Sequence, residues 1–86
     1  MTSNPAEKLI ERYVELDPLR PGKSEARLKE HHISVWALAG YFQEGNSDLE
    51  RAARDFGLPR EAVEAAFEFY KRHRAIIDDR VAANAL

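Results

Sequence analysis

The 86-residue chain contains no cysteine. That excludes a disulfide framework, a thiolate metal site and a nucleophilic thiol, and it suits a reducing compartment. No apolar run is long enough to span a bilayer, and the polar N-terminus has no signal-peptide core. A cytoplasmic location away from membranes is therefore expected. Excess positive charge is also absent. Thirteen Lys and Arg face fifteen Asp and Glu for a net charge of −2, a balance that counts against dedicated nucleic-acid binding. No phosphate-cradling glycine loop and no Ser/His/Asp arrangement can be picked out. His31-His32 has only His73 as a further imidazole, and adjacent residues point to opposite sides of a strand, so no metal site is expected. The chain reads as a non-enzyme without a cofactor.

What is present is helical periodicity. At 44% hydrophobic and 33% charged residues, the composition is that of one small globular domain over 1–86. Val35, Leu38, Ala39 and Phe42 recur at i, i+3, i+4 and i+7. So do Leu49, Ala52, Ala53 and Phe56, and then Val63, Ala66, Phe67 and Tyr70. Each set lines one face of a helix. Gly45 can end the first, Ser47 with Glu50 forms a capping box for the second, and Gly57 stops it before Pro59 opens the third. Ala53, Gly57 and Val63 have the spacing of a helix-turn-helix, although a plain three-helix core fits the same residues.

Upstream, Asn4-Pro5-Ala6-Glu7 starts a helix predicted over 5–16, which Asp17-Pro18 ends. A loop and arm follow over 17–34. Within it, Ser24 to Glu30 contains good helix formers, yet Ala26 and Leu28 alternate with Arg27 and Lys29, and Ile33 and Val35 with His32 and Ser34. The segment fits either a helix or two short strands turning at Glu30-His31. The helix-turn-helix core occupies 35–73. Ile76, Ile77, Arg80 and Val81 carry a helical period into a C-terminal helix and tail over 74–86, either separate from the third helix or an extension of it. Asp78-Asp79 reads as solvated helix surface, and Trp36 as a core or interface anchor.

Taken in order, Pro21-Gly22-Lys23, His32-Ile33-Ser34-Val35, Gly45, Ser47, Phe56-Gly57-Leu58, Val63, Ala66, Phe69-Tyr70, His73 and Ile77-Asp78 resemble the domain of unknown function 433 family. The resemblance runs from about Leu16 to Val81. It implies a mainly α, homeodomain-like helix-turn-helix preceded by an N-terminal helix and a short β-ribbon or arm, and closed by a C-terminal helix. It further implies an antitoxin-like protein that neutralises a PIN-like ribonuclease toxin and, as a homodimer, represses its own operon by binding operator DNA. The chain departs from the family at Glu30-His31-His32, where a Gly-Thr-Arg-like turn is usual, and at Arg74, where a proline is common. The alternatives are a stand-alone DNA-binding repressor and a structural domain of unknown ligand.

Two sets of residues carry these alternatives. On the third helix, Arg60, Glu61, Glu64, Ala65 and Glu68 are expected to point outward, and their three carboxylates oppose phosphate. A DNA contact would instead use Lys23, Arg27, Lys29 and His32 of the arm, with Arg51, Arg54 and Arg60 in support. A second seam of Ala62, Ala65, Phe69 and Ile76 lies off the Val63/Phe67/Tyr70 face. It is expected either to form a protein interface or to lie under the N-terminal helix through Leu9, Tyr13 and Leu16.

Overall fold

The computed structural model describes residues 4–20, 22–43 and 48–84. Among them the chain is mainly helical, with one small two-stranded sheet: α1 (Pro5–Tyr13), β1 (Val14–Glu15), a 3-10 turn (Lys23–Glu25), β2 (Arg27–Leu28), α2 (Val35–Gln43), α3 (Leu49–Phe56), α4 (Arg60–Arg72) and α5 (Arg74–Asn84).

Asn4 caps α1 by accepting the Glu7 amide at 2.8 Å, and Pro5 occupies the first turn where its missing N–H is not needed. The helix ends at Tyr13, three residues before the expected Leu16. Val14 is β-branched and buried, and it pairs antiparallel with Leu28 as Glu15 does with Arg27. The 26–34 segment is therefore a turned-back ribbon and not a helix, with Arg27–Leu28 its strand, the second expected strand reduced to a bridge at Ser34, and Val35 already in α2. Leu28 donates its amide to Ile33, Val35 donates to Ala26, and an isolated bridge joins Arg27 to Ser34. The arm turns back on itself as the strand reading expected, and it also borrows a strand from the end of α1. His32 holds φ at 54° in that turn, where the family resemblance expects a glycine nearby.

Gly57 stops α3 in the left-handed conformation, φ 65°, and Leu58 donates back to the Ala53 carbonyl at 2.8 Å. The described cap of α3 is Asp48, whose carboxylate accepts the Arg51 amide at 3.0 Å. The expected roles of Gly45 and Ser47 lie outside the described residues, as does Pro21. Pro59 occupies the N-cap position of α4 without a side-chain capping bond, so the helix begins at Arg60, one residue later than expected. A break at His73 makes α5 a separate helix. Its amide still reaches the Phe69 and Tyr70 carbonyls, but its own φ and ψ of −129° and 34° turn the chain.

The core is continuous from Val14, Ala26 and Leu28 through α2 and α4 to Ile77. Phe42 packs its ring against Phe67 and Tyr70 at 5.1 and 5.5 Å. Asp78 corrects the solvated reading given to it: it accepts from the Tyr70 hydroxyl at 2.8 Å and from Gln43 at 2.7 Å, fastening α5 to α4 and α2. Burial, then this bond to the Asp78 carboxylate, pushes the Tyr70 phenol above its ordinary value.

Gly40 is exposed in the middle of α2, and a Cβ built there would meet nothing within 4 Å. Replacing it with Ala removes backbone freedom from the unfolded chain without a clash. Gly40→Ala is expected to stabilise the fold by ~0.5–1 kcal/mol, read as a raised urea midpoint with unchanged slope.

Candidate functional site

The centre of the molecule is α4, and its surroundings decide what each of its faces can do. Val63, Ala66 and Tyr70 are buried toward α2. Ala62, Ala65 and Phe69 are 0%, 0% and 7% exposed, on a helix that α1, β1 and β2 also pack against. α1 runs antiparallel along it: Tyr13 donates its hydroxyl to Glu61 at 2.9 Å near one end, and Glu7 lies 4.0 Å from Arg72 near the other. The interface assigned to Ala62, Ala65 and Phe69 is thereby corrected, because these side chains are enclosed within the subunit. Ala65, expected to point outward, points in. Ile76 alone of the seam is exposed, at 48%.

Phe67, placed in the core by periodicity, is only half-buried. It lies in an apolar groove of about 430 Å³ where α1, α3 and α4 meet, together with Pro5, Ala6, Leu9 and Leu49. The rim is charged. Arg60 lies between Glu50 at 3.0 Å and Glu64 at 3.3 Å, while Glu68 pairs with Lys71 at 2.7 Å. Lys71 also sits 4.6 Å above the Phe67 ring. Residues 60, 64 and 68 form one i, i+4, i+8 strip on the side of α4 that stays partly open, where Glu61, Lys71 and Arg72 are exposed as well.

The cations assigned to DNA are not gathered into one surface. Arg27 is held by Glu15 at 2.8 Å, Arg51 lies 3.8 Å from Asp55, and Arg60 is neutralised as above. Lys23 lies near the α4–α5 junction, close enough to His73 to bear on its titration. Arg54 is exposed on α3. Lys29 donates to the Glu11 carbonyl at the end of α1. With Arg12 and His31 it borders a recess of about 200 Å³ that also meets Tyr13, Glu30 and Pro59; His32 does not line it. Arg12 was not among the sequence candidates, since nothing in the period of α1 links it to the turn at Lys29–His31. Among the described residues, no three His, Asp or Glu side chains come close enough to hold a metal ion, and no helix is long and apolar enough to cross a membrane.

His73 ties chemistry to the fold. Its ring packs against Phe69 with centroids 4.5 Å apart and planes tilted by 48°. Burial first, then the nearby charges of Lys23 and Arg72, holds its imidazole below the ordinary value of 6.5. The folded chain thus resists a proton that the unfolded chain accepts. Stability is full above about pH 6.5 and falls as the pH drops from there toward the lowered folded value. A His73→Gln variant is expected to lose that part of the slope below about pH 6.5, measured by urea unfolding at stepped pH.

Comparison of the chain with protein-family models, with curated proteins and with solved structures gives no match.

Proposed function

We propose that this chain is a non-enzymatic, antitoxin-like protein-binding module of the domain of unknown function 433 type. In this reading it is a cytoplasmic homodimer that neutralises a PIN-like ribonuclease toxin, and α2–α4 form a homeodomain-like helix-turn-helix core. The turn at Gly57, the Ala53/Gly57/Val63 spacing and the ribbon ahead of α2 support that architecture. One observation carries the functional part. The helix that would enter a DNA groove is enclosed by α1 and the ribbon, and its open strip presents Glu64 and Glu68 with a neutralised Arg60. A recognition helix needs a free face and uncompensated cations. An acidic edge beside an apolar groove suits the basic surface of an enzyme that handles RNA.

Co-expression with the product of the adjacent gene tests this. The two proteins are expected to co-purify and growth arrest to be relieved. A Glu50→Lys, Glu64→Lys double variant is expected to weaken capture at least tenfold. Failure of the unmodified chain to co-purify or to relieve arrest removes the proposal.

The recess bounded by Arg12, Lys29 and His31 favours a second reading, a DNA-binding repressor that touches phosphate with the arm. Binding to the gene's own upstream DNA across a salt series decides it. A steep salt slope that flattens in Lys29→Ala supports it, and no binding at low salt removes it.

A further inference from the structure

Among the described residues, the most exposed large apolar one is Leu19, at 89%. Its exposure is built into the backbone. Asp17 accepts the Arg20 amide at its carbonyl at 3.2 Å and the Leu19 amide at its carboxylate at 2.9 Å, and Pro18 restricts the turn further. A fixed turn thus holds a leucine out in water, where solvation disfavours it. Elsewhere on the chain, the α1/α3/α4 groove offers an apolar floor of Leu9, Leu49 and Phe67. Since Leu19 is open to solvent, it does not fill the groove of its own molecule.

We propose that the Asp17–Arg20 turn of one copy inserts Leu19 into the α1/α3/α4 groove of a second copy, and that reciprocal insertion closes a two-fold dimer. The proposal rests on the homodimer part of the reading above and supplies its contact. Charge favours this occupant. At the groove rim the carboxylates Glu50, Glu64 and Glu68 outnumber Arg60 and Lys71. Beside Leu19 the Arg20 side chain is 70% exposed, whereas Glu25, 3.9 Å from it, is 17% exposed and shared with Arg80 at 2.8 Å, so the charge the tip presents to solvent is cationic. Tip and groove therefore attract, whereas tip against tip or rim against rim would bring like charge together. Size agrees as well. An apolar cavity of ~150 Å³ takes a benzene-sized group, so about 430 Å³ has room for Leu19 with Pro18 beside it. Two identical contacts related by a two-fold axis leave no unfilled groove and no free tip, so assembly stops at the dimer.

The test is the mass of the full chain in solution, by sedimentation from micromolar to millimolar concentration. The unmodified protein is expected to rise from its 9.8 kDa monomer to twice that mass. Leu19→Asp is expected to weaken association at least tenfold with an unchanged urea midpoint, because the side chain it replaces is solvent-exposed. Ala6→Glu, which puts a carboxylate in the groove at a first-turn position where acids suit the helix dipole, should do the same. An equimolar mixture of the two variants is expected to associate more tightly than either variant alone and less tightly than the unmodified chain, since one of the two reciprocal contacts then joins an intact tip to an intact groove. A wild-type monomer throughout, a Leu19→Asp protein that dimerises normally, or a mixture that associates no better than either variant alone each overturns the proposal. Capture of a co-expressed ribonuclease that Ala6→Glu blocks and Leu19→Asp spares would give the groove to a foreign partner, and also overturns it. Relief of toxicity is scored separately on each variant. Loss of dimer with relief retained leaves the module reading intact, and a dimer without relief removes that reading alone.

Discussion

Phe69→Ala is expected to cost ~3–5 kcal/mol of folding free energy, the range for deleting a buried aromatic ring. Phe69 is 7% exposed on α4, a helix that α1 and both strands pack against, and its ring packs at a tilt against His73. Truncation leaves a cavity that the fold can close only by moving the elements packed on α4. A chain of this length has a total stability of roughly 5–13 kcal/mol, so the variant should unfold at far lower urea and be partly unfolded at physiological temperature. Self-association, where the variant still folds, should be unchanged. Phe67→Ala should show the reverse pattern: its half-exposed ring sits in the groove, so folding loses less and any contact made through the groove loses more. Urea unfolding and sedimentation of the two variants side by side separate the roles. A Phe69→Ala protein with a wild-type midpoint and weakened association would put the seam back on the surface.

That pair also shows where periodicity stops being informative. The spacing of Val63, Ala66, Phe67 and Tyr70 marks one apolar face, and that of Ala62, Ala65 and Phe69 marks another. Both faces were legible, and so was the mainly helical architecture with its Asn4 cap and its Gly57 stop. Which face meets solvent was not, because that depends on where α1 lies. Nothing in the local sequence of α4 records a neighbour fifty residues upstream. The early end of α1 has the same origin. Val14 continues the helical period, but it gains more by pairing with Leu28 across the sheet, and tertiary context overrides local propensity.

The candidate sites follow the same rule. The excess of carboxylate on the outer strip of α4 could be read directly, since charge at i, i+4 spacing is a local property. The fate of the cations could not. Arg27 and Arg60 looked free in the sequence, and each is held by an acid far from it in the chain or a turn away on the same helix. The groove needs three helices to exist at all, and Leu19 looked like an ordinary loop residue until the Asp17 turn fixed its direction.

Arg80→Met is expected to give the second large loss, ~2–3 kcal/mol. The Arg80 guanidinium donates to Glu25 at 2.8 Å and lies 4.4 Å from the centre of the Trp36 ring, so one side chain joins α5 to the 3-10 turn and to α2. Its side chain and that of Glu25 are 23% and 17% exposed, so solvent screens the pair only in part. A hydrogen bond between charged groups contributes ~1.5–3 kcal/mol, and a cation over an indole adds roughly 0.5–1 kcal/mol or more as it is desolvated. Methionine keeps much of the apolar stem, so the loss reports charge and hydrogen bonding more than packing. It also leaves the Glu25 carboxylate with Arg20 alone, at 3.9 Å on a side chain 70% exposed. Because that orphaned acid accounts for part of the cost, Glu25→Gln together with Arg80→Met should lose less than the two single changes added. Additive losses would mean that the two side chains act independently, and that α5 is held by its buried Ile77 and the Asp78 bonds to Tyr70 and Gln43 without the Arg80–Glu25 pair.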